Sequence, residues 1–175
     1  MLNDTQIRDL CENGAIDPYI PSNVQPCSLD IRLGNRGCKY LGNSNYILDS
    51  HSKPTYNDKK FDFTELILKP GEFVLADTVE FLNIPKNIVA ILTGRSSIGR
   101  LGIAIHITAG LIDPQFRGKL TLEICNFNNR PVKLYSGDII GQLTFQQIEE
   151  CKIGYGDKKG RYQNDMDVNS SLFYL

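Results

Sequence analysis

From residue 29 onward the chain changes character every few residues, and this rhythm constrains its fold more than any other feature. Leu29, Ile31 and Leu33 alternate with Asp30 and Arg32, and short alternating or wholly apolar runs recur near 45–48, 61–68, 72–76, 88–93, 103–107, 119–125, 131–135 and 139–148. Period-two spacing puts successive side chains on opposite faces of a strand. Turn chemistry divides the runs: Gly34-Asn35, Lys69-Pro70-Gly71, Ile84-Pro85-Lys86-Asn87, Asn128-Asn129-Arg130-Pro131 and Ser136-Gly137-Asp138. Glycine, proline and asparagine at those places favour tight reversals. Many short strands without a βαβ rhythm predict an all-β sandwich, jelly roll or distorted barrel. No internal repeat is visible.

At 175 residues the chain fits one domain spanning 1–175. Residues 1–14 open it with a short helix. Asn3 is placed to cap and Gln6 to complete a capping box, Leu2 and Ile7 fall at staple positions, and Gly14 stops the helix. The segment 49–60 is polar and reads as a loop or insertion. The tail 154–175 is rich in Gly, Asp, Lys, Asn and Ser. It reads either as a frayed terminus or as a flexible flap that closes over a site or docks on a neighbour.

Charge and cysteine usage narrow the function classes. Nineteen basic against twenty acidic residues leave a net charge of −1, so no global positive field recruits nucleic acid. No apolar run approaches the roughly 18 residues of a membrane helix, and the polar start does not resemble a signal peptide. The expectation is a cytoplasmic protein with no membrane partner. Five cysteines, widely spaced and without a CxxC pair, point to reduced thiols rather than a zinc site.

The chemistry-bearing residues concentrate between Gly94 and Asn126. Gly94-Arg95-Ser96-Ser97-Ile98-Gly99-Arg100-Leu101-Gly102 follows an apolar strand and offers two hydroxyls, two guanidinium groups and flanking glycines, a composition that suits an anion or an ordinary polar turn. It lacks the GK[ST] of a Walker A loop. Asp113 lies in a tight turn, where an aspartate either caps its own backbone or takes a catalytic or sugar-binding role. Glu123 is the lone carboxylate of an alternating strand, on the face opposite Leu120, Leu122 and Ile124. On a solvent face it is unremarkable; in a cleft it becomes a candidate general acid/base. His106 reads as a core or hydrogen-bonding residue rather than a metal ligand.

Several separated motifs together carry a family resemblance. GRSSIGRLGI, HITAGLIDPQFRGKLTLEICNF, the IIGQLTF run at 139–145, VQPCSLDIRLG at 24–34 and LKPGEFVLADTVEFLNIP at 68–85 stand in order over nearly the whole chain. They resemble the dCTP deaminase branch of the dUTPase superfamily. The resemblance implies a distorted β-barrel or jelly-roll subunit, a homotrimer with active sites between subunits, and hydrolytic deamination of dCTP to dUTP and ammonia. Magnesium would ride on the triphosphate. Zinc is not expected, because the HxE and PCxxC signatures of the zinc nucleobase deaminases are missing.

Carried onto matching positions, the resemblance makes Glu123 the general acid/base and Ser96 and Arg100 its partners beside the reacting base and water. Arg95 and Ser97 become triphosphate contacts. Ala109 offers its backbone to the pyrimidine, with His106 among the nucleotide contacts. Asp113 holds the deoxyribose 3′-hydroxyl, Phe116 lies beside the sugar, and Gln142 is a phosphate or subunit contact. In the tail, Tyr155, Lys159, Arg161 and Tyr162 would serve the phosphates, while Asp165 stands where the family pattern has a second glutamine. The wording Thr108-Ala109-Gly110-Leu111-Ile112-Asp113 resembles bifunctional members, which continue to dUMP and pyrophosphate. A dUTPase without deaminase activity and a non-catalytic nucleotide-binding regulator are the remaining readings.

Overall fold

The computed structural model describes residues 1–41, 47–49 and 57–173. The expected run at 45–48 and the polar segment 49–60 fall partly outside these residues, as does the end of the tail. Strands dominate. They are β1 (Ile16–Asp17), β2 (Leu29–Leu41), β3 (Asn57–Asp62), β4 (Glu65–Leu68), β5 (Phe73–Asn83), β6 (Ile88–Gly94), β7 (Ile103–Ala104), β8 (Leu111–Ile112), β9 (Arg117–Asn126), β10 (Val132–Tyr135) and β11 (Ile139–Gln147). Helix α1 (Asp4–Leu10) precedes them, and a single turn, α2 (Ser96–Gly99), follows β6.

One curled sheet runs β7-β9-β5-β2-β11-β6-β8, with β1 on β5 and β3 on β2, and β4 pairs with β10 separately. The strand pairs are antiparallel. The long β2 is the hinge of the arrangement. Its first residues, Leu29–Arg32, pair with β11, and its last, Arg36–Leu41, pair with β3. The sheet curls around an apolar interior that includes Leu29, Ile31, Leu33, Leu122, Ile124, Ile140, Leu143 and Phe145. Each such side chain removed from water contributes about 1.5–3 kcal/mol.

The N-terminal helix follows its sequence signals. The Gln6 N–H donates to Asn3 Oδ1 at 3.0 Å and the Asn3 N–H to Gln6 Oε1 at 3.1 Å, closing the capping box. Ile7 and Cys11 are buried against the core; α1 ends at Leu10 rather than at Gly14, and a π-helical turn, Cys11–Ala15, carries the chain on, with Gly14 at φ +84° inside it.

Elsewhere the turn signals misled. Gly34-Asn35 does not reverse the chain: β2 passes straight through it, with a register shift between Leu33 and Gly37. The glycine serves a close approach instead, since a Cβ there would collide with the Asp77 carboxylate. The run expected at 72–76 continues to Asn83, because Asp77, Thr78 and Glu80 are buried despite their polarity. Asp77 accepts from the Arg36 N–H and from Lys119 Nζ, and Glu80 from the Arg32 backbone and Nε. Such pairing lets polar groups sit inside a sheet. The run at 61–68 splits into β3 and β4, which join different sheets. The run at 103–107 keeps only Ile103–Ala104 as strand.

Candidate active site

Strand β9 builds one wall of a cavity of about 330 Å³. Leu122 and Ile124 are fully buried in the core, so the alternation turns Lys119, Thr121, Glu123 and Cys125 to the other face. Lys119, Thr121 and Glu123 line the cavity together with Tyr40, Phe73 and Leu75. Cross-strand register sets Leu75 opposite Glu123 and Asp77 opposite Thr121. Glu123 is half-buried, and its Oε2 accepts the Ile107 N–H at 2.9 Å. This bond fixes the carboxylate against the loop 105–110, which bears His106 and Ala109 on the cavity wall.

Asp113 and Phe116 extend that wall. Phe116 is 8% exposed and meets the Tyr155 ring at 5.7 Å. The Tyr155 hydroxyl accepts the Tyr162 N–H, and the Tyr162 hydroxyl accepts the Leu172 N–H. The Nδ1 atom of His106 is buried without a hydrogen-bond partner among the described residues. Gly110 lies under this imidazole, and a Cβ there would meet the Leu92 carbonyl at 2.9 Å.

The tail crosses the same sheet face as a strap. Asn164 and Asp165 bond the edge of β9 that β7 leaves uncovered: the Asn164 N–H donates to the Arg117 carbonyl at 2.6 Å, and the Lys119 N–H to the Asp165 carbonyl at 2.8 Å. Val168 is fully buried against Cys38 and Leu75. Asp167 bonds Lys60 and Arg36, and Asn169, Ser170 and Ser171 return to line the cavity. Burial opposes the charge of Asp167, but Lys60 and the Val168 N–H hold its carboxyl below its ordinary range.

Asp157 anchors the start of the strap. The hydrogen bond from Lys86, then the Gly154 N–H and Gln115, bring its carboxyl from 3.8 down to about 2. A depressed carboxylate contributes stability above its unfolded value and loses it as pH falls through the folded one. Protection of residues 154–168 against hydrogen exchange, taken relative to the intrinsic amide rate at each pH, is therefore expected to hold at pH 4 and to fall as pH drops from about 4 to about 2. Protection unchanged across that interval would remove Asp157 as an anchor.

The sequence-predicted residues thus fall into three places. Glu123, His106, Ala109, Asp113, Phe116, Tyr155 and Tyr162 meet in the cavity. Ser96, Ser97 and Arg100 stand exposed on α2 and its C-cap, outside the cavity lining, with Arg95 just before them. Gln142 lies near that second group, where its Oε1 accepts the Ser28 hydroxyl at 3.3 Å. Lys159 and Arg161 are exposed on the outer side of the strap, with Arg161 over the Phe173 ring. Lys119 and Thr121 were missed as site residues although they share the strand face of Glu123. Tyr40, Phe73 and Asn169–Ser171 carried no sequence signal, because only tertiary folding brings them to the wall.

The charges of the cavity are lopsided. Glu123, Asp113 and Asp165 line it with Lys119, whose ammonium is bound to Asp77 at 2.8 Å, and among the described residues no arginine lines it. Among the described residues no group of three or more His, Cys, Asp or Glu side chains could hold a metal ion. No helix among them is long and apolar enough to cross a membrane.

Comparison with known proteins supplies independent findings. Residues 1–148 match the family model described as dCTP deaminase-like. A protein of Methanospirillum hungatei named "dCTP deaminase, dUMP-forming" is 44% identical over 179 residues, covering 99% of this chain and 96% of its own. A protein of the same name from Methanoregula boonei is 46% identical over 182 residues, with 99% and 97% covered. Among solved structures, the 2′-deoxycytidine 5′-triphosphate deaminase of Agrobacterium tumefaciens superposes with a TM-score of 0.66 at 23% identity. That match covers 83% of this chain and 48% of the other, so the chain spans about half its length.

Proposed function

The chain belongs to the dCTP deaminase-like family, and from that footing we propose that it converts dCTP to dUMP in two hydrolytic steps. The first takes dCTP and water to dUTP and ammonia; the second takes dUTP and water to dUMP and pyrophosphate. The relatives' names favour this reading over one that stops at dUTP. The observation that carries the proposal is Glu123, half-buried on the cavity wall with its Oε2 held by the Ile107 N–H.

Deamination requires water to attack C4 of the cytosine ring, a proton to reach N3, and another to reach the departing amine. A fixed carboxylate beside the ring can take the water proton and return it, serving as base and then acid. Because Oε2 is anchored by the Ile107 N–H, we assign that work to the second oxygen, Oε1. The loop around Ala109 offers backbone groups to the pyrimidine edge, and Phe116 bounds the sugar. Asp113 fits the 3′-hydroxyl and, in the second step, the water that attacks the α-phosphorus.

A triphosphate needs more cationic charge than this cavity carries. We assign the missing charge to the exposed segment Arg95–Arg100 of a neighbouring copy, in a homotrimer whose sites lie between subunits. Ser96 and Arg100 of that neighbour would orient the water and balance developing charge. Exposed apolar residues support the association: Ile91 and Leu111 are register neighbours on β6 and β8, and Leu111 is 64% exposed. Magnesium fits as the triphosphate's counter-ion, since it is commonly bound through phosphate oxygens and one or two carboxylates. Asp113 and Asp165 are the candidates here. Lys159 and Arg161 of the strap can add charge from the outer side.

Incubation of the purified chain with dCTP and magnesium is expected to release ammonia and accumulate dUMP, read by ion-exchange chromatography. Accumulation of dUTP would confine the protein to the first step. Unchanged dCTP would defeat the proposal.

A further inference from the structure

A second polar cluster lies beneath the Arg95–Arg100 segment. Asp30 stands on β2 between the core residues Leu29 and Ile31, yet it is only 2% exposed on the opposite face. Register sets it opposite Gln142 of β11, and Gln142 opposite Thr93 of β6. Two residues beyond Thr93 the chain delivers Arg95, whose Nη1 bonds Asp30 Oδ2. Gln25 Nε2 donates to the same oxygen at 3.0 Å. Asp30 Oδ1 is sealed from solvent and has no hydrogen-bond partner among the described residues. The Arg95 side chain keeps 34% exposure.

A carboxylate buried in this way is a poor stability device. Its desolvation is only partly offset by a cation that remains in contact with water. An apolar residue at position 30 would serve the sheet as well. What the pair does provide is direction. A guanidinium carries five N–H donors in a rigid plane, so a bond at one corner orients the rest. Fixing a long side chain in advance removes ordering entropy that binding would otherwise cost.

We propose that Asp30 is a positioning residue for phosphate recognition, holding Arg95 by one corner so that its other edge faces the triphosphate. The inference rests on the reading of Arg95 as a triphosphate contact. Asp30 itself does not touch the nucleotide.

The test compares dCTP with dCMP, using the full chain, by calorimetric binding and by steady-state kinetics. Asp30→Asn keeps the shape and removes the charge. It is expected to weaken dCTP binding by about tenfold to a hundredfold, the scale of one charge-assisted hydrogen bond. Binding of dCMP should stay within about twofold, because it lacks the β- and γ-phosphates, and the loss for dCTP should fall more on KM than on kcat. Arg95→Ala should lose as much, and the double variant no more than Arg95→Ala alone. Equal losses for dCTP and dCMP, or losses that add in the double variant, would overturn the proposal.

Should Asp30→Asn fail to fold, Arg95→Lys carries the same question. A single ammonium cannot bond Asp30 and a phosphate in the fixed geometry of a fork, so the preference for dCTP over dCMP should drop by about tenfold. An unchanged preference would overturn the proposal as surely. A wild-type chain that binds both nucleotides but turns neither over would sink the catalytic reading and leave the binding comparison intact.

Discussion

Glu123→Gln is expected to lower deamination of dCTP by about two to four orders of magnitude, the range typical for removal of a general acid/base. Glutamine preserves size and can still accept the Ile107 N–H, so fold and nucleotide affinity should change little. The proton relay is lost, because an amide neither takes a proton from water nor delivers one to the amine. The expected pattern is a collapse of kcat with KM nearly constant. Substrate depletion followed by ammonia release provides the measurement. Full turnover in this variant would mean that another group moves the protons, and the mechanism would fall.

The second large effect concerns how chains cooperate. Arg100→Ala should be almost as inactive as Glu123→Gln when assembled alone. Co-expressed chains of the two variants should nevertheless regain activity, because one intact Glu123 and one intact Arg100 can meet across an interface. Random mixing in equal amounts restores about a quarter of the sites if each site draws on two adjacent copies. Activity no higher than that of the separate variants would place the whole site within one chain. The exposed position of α2, outside the cavity lining, is what makes this experiment informative.

Sequence legibility tracked the physics of each element. The capping box at Asn3 and Gln6 was readable because it is local: donors and acceptors three residues apart satisfy one another. The β9 face bearing Glu123 was readable because alternation holds from Thr121 to Asn126, where one side is core and the other cavity; it lapses at Leu120, which is half-buried and also lines the cavity beside the register shift opposite Asp77 and Phe81. The length of β5 was not, since its middle is polar and its burial depends on Arg32, Arg36 and Lys119 from distant strands. Gly34-Asn35 looked like a turn because glycine and asparagine suit turns. Its actual constraint, the proximity of Asp77, is invisible in one dimension. The family resemblance named some of the residues that line the cavity, such as Glu123, Asp113 and Phe116, but which residues share a wall and which stand apart on α2 emerged only from the fold. The strap's path was also beyond reach, because Val168 gives no periodic signal and finds its burial through contacts with β2 and β5.

The narrow fit between Gly34 and Asp77 reaches further than the sheet interior. Any side chain at position 34 must push the Asp77 carboxylate aside, and that carboxylate tethers the Lys119 ammonium on the cavity wall. A methyl group added in a stretch of β2 outside the cavity lining would thus be felt as a slackened cation on the cavity wall. Drift at these three positions is therefore coupled, so a homologue with a bulkier residue in place of Gly34 should carry a shorter or differently charged residue in place of Asp77.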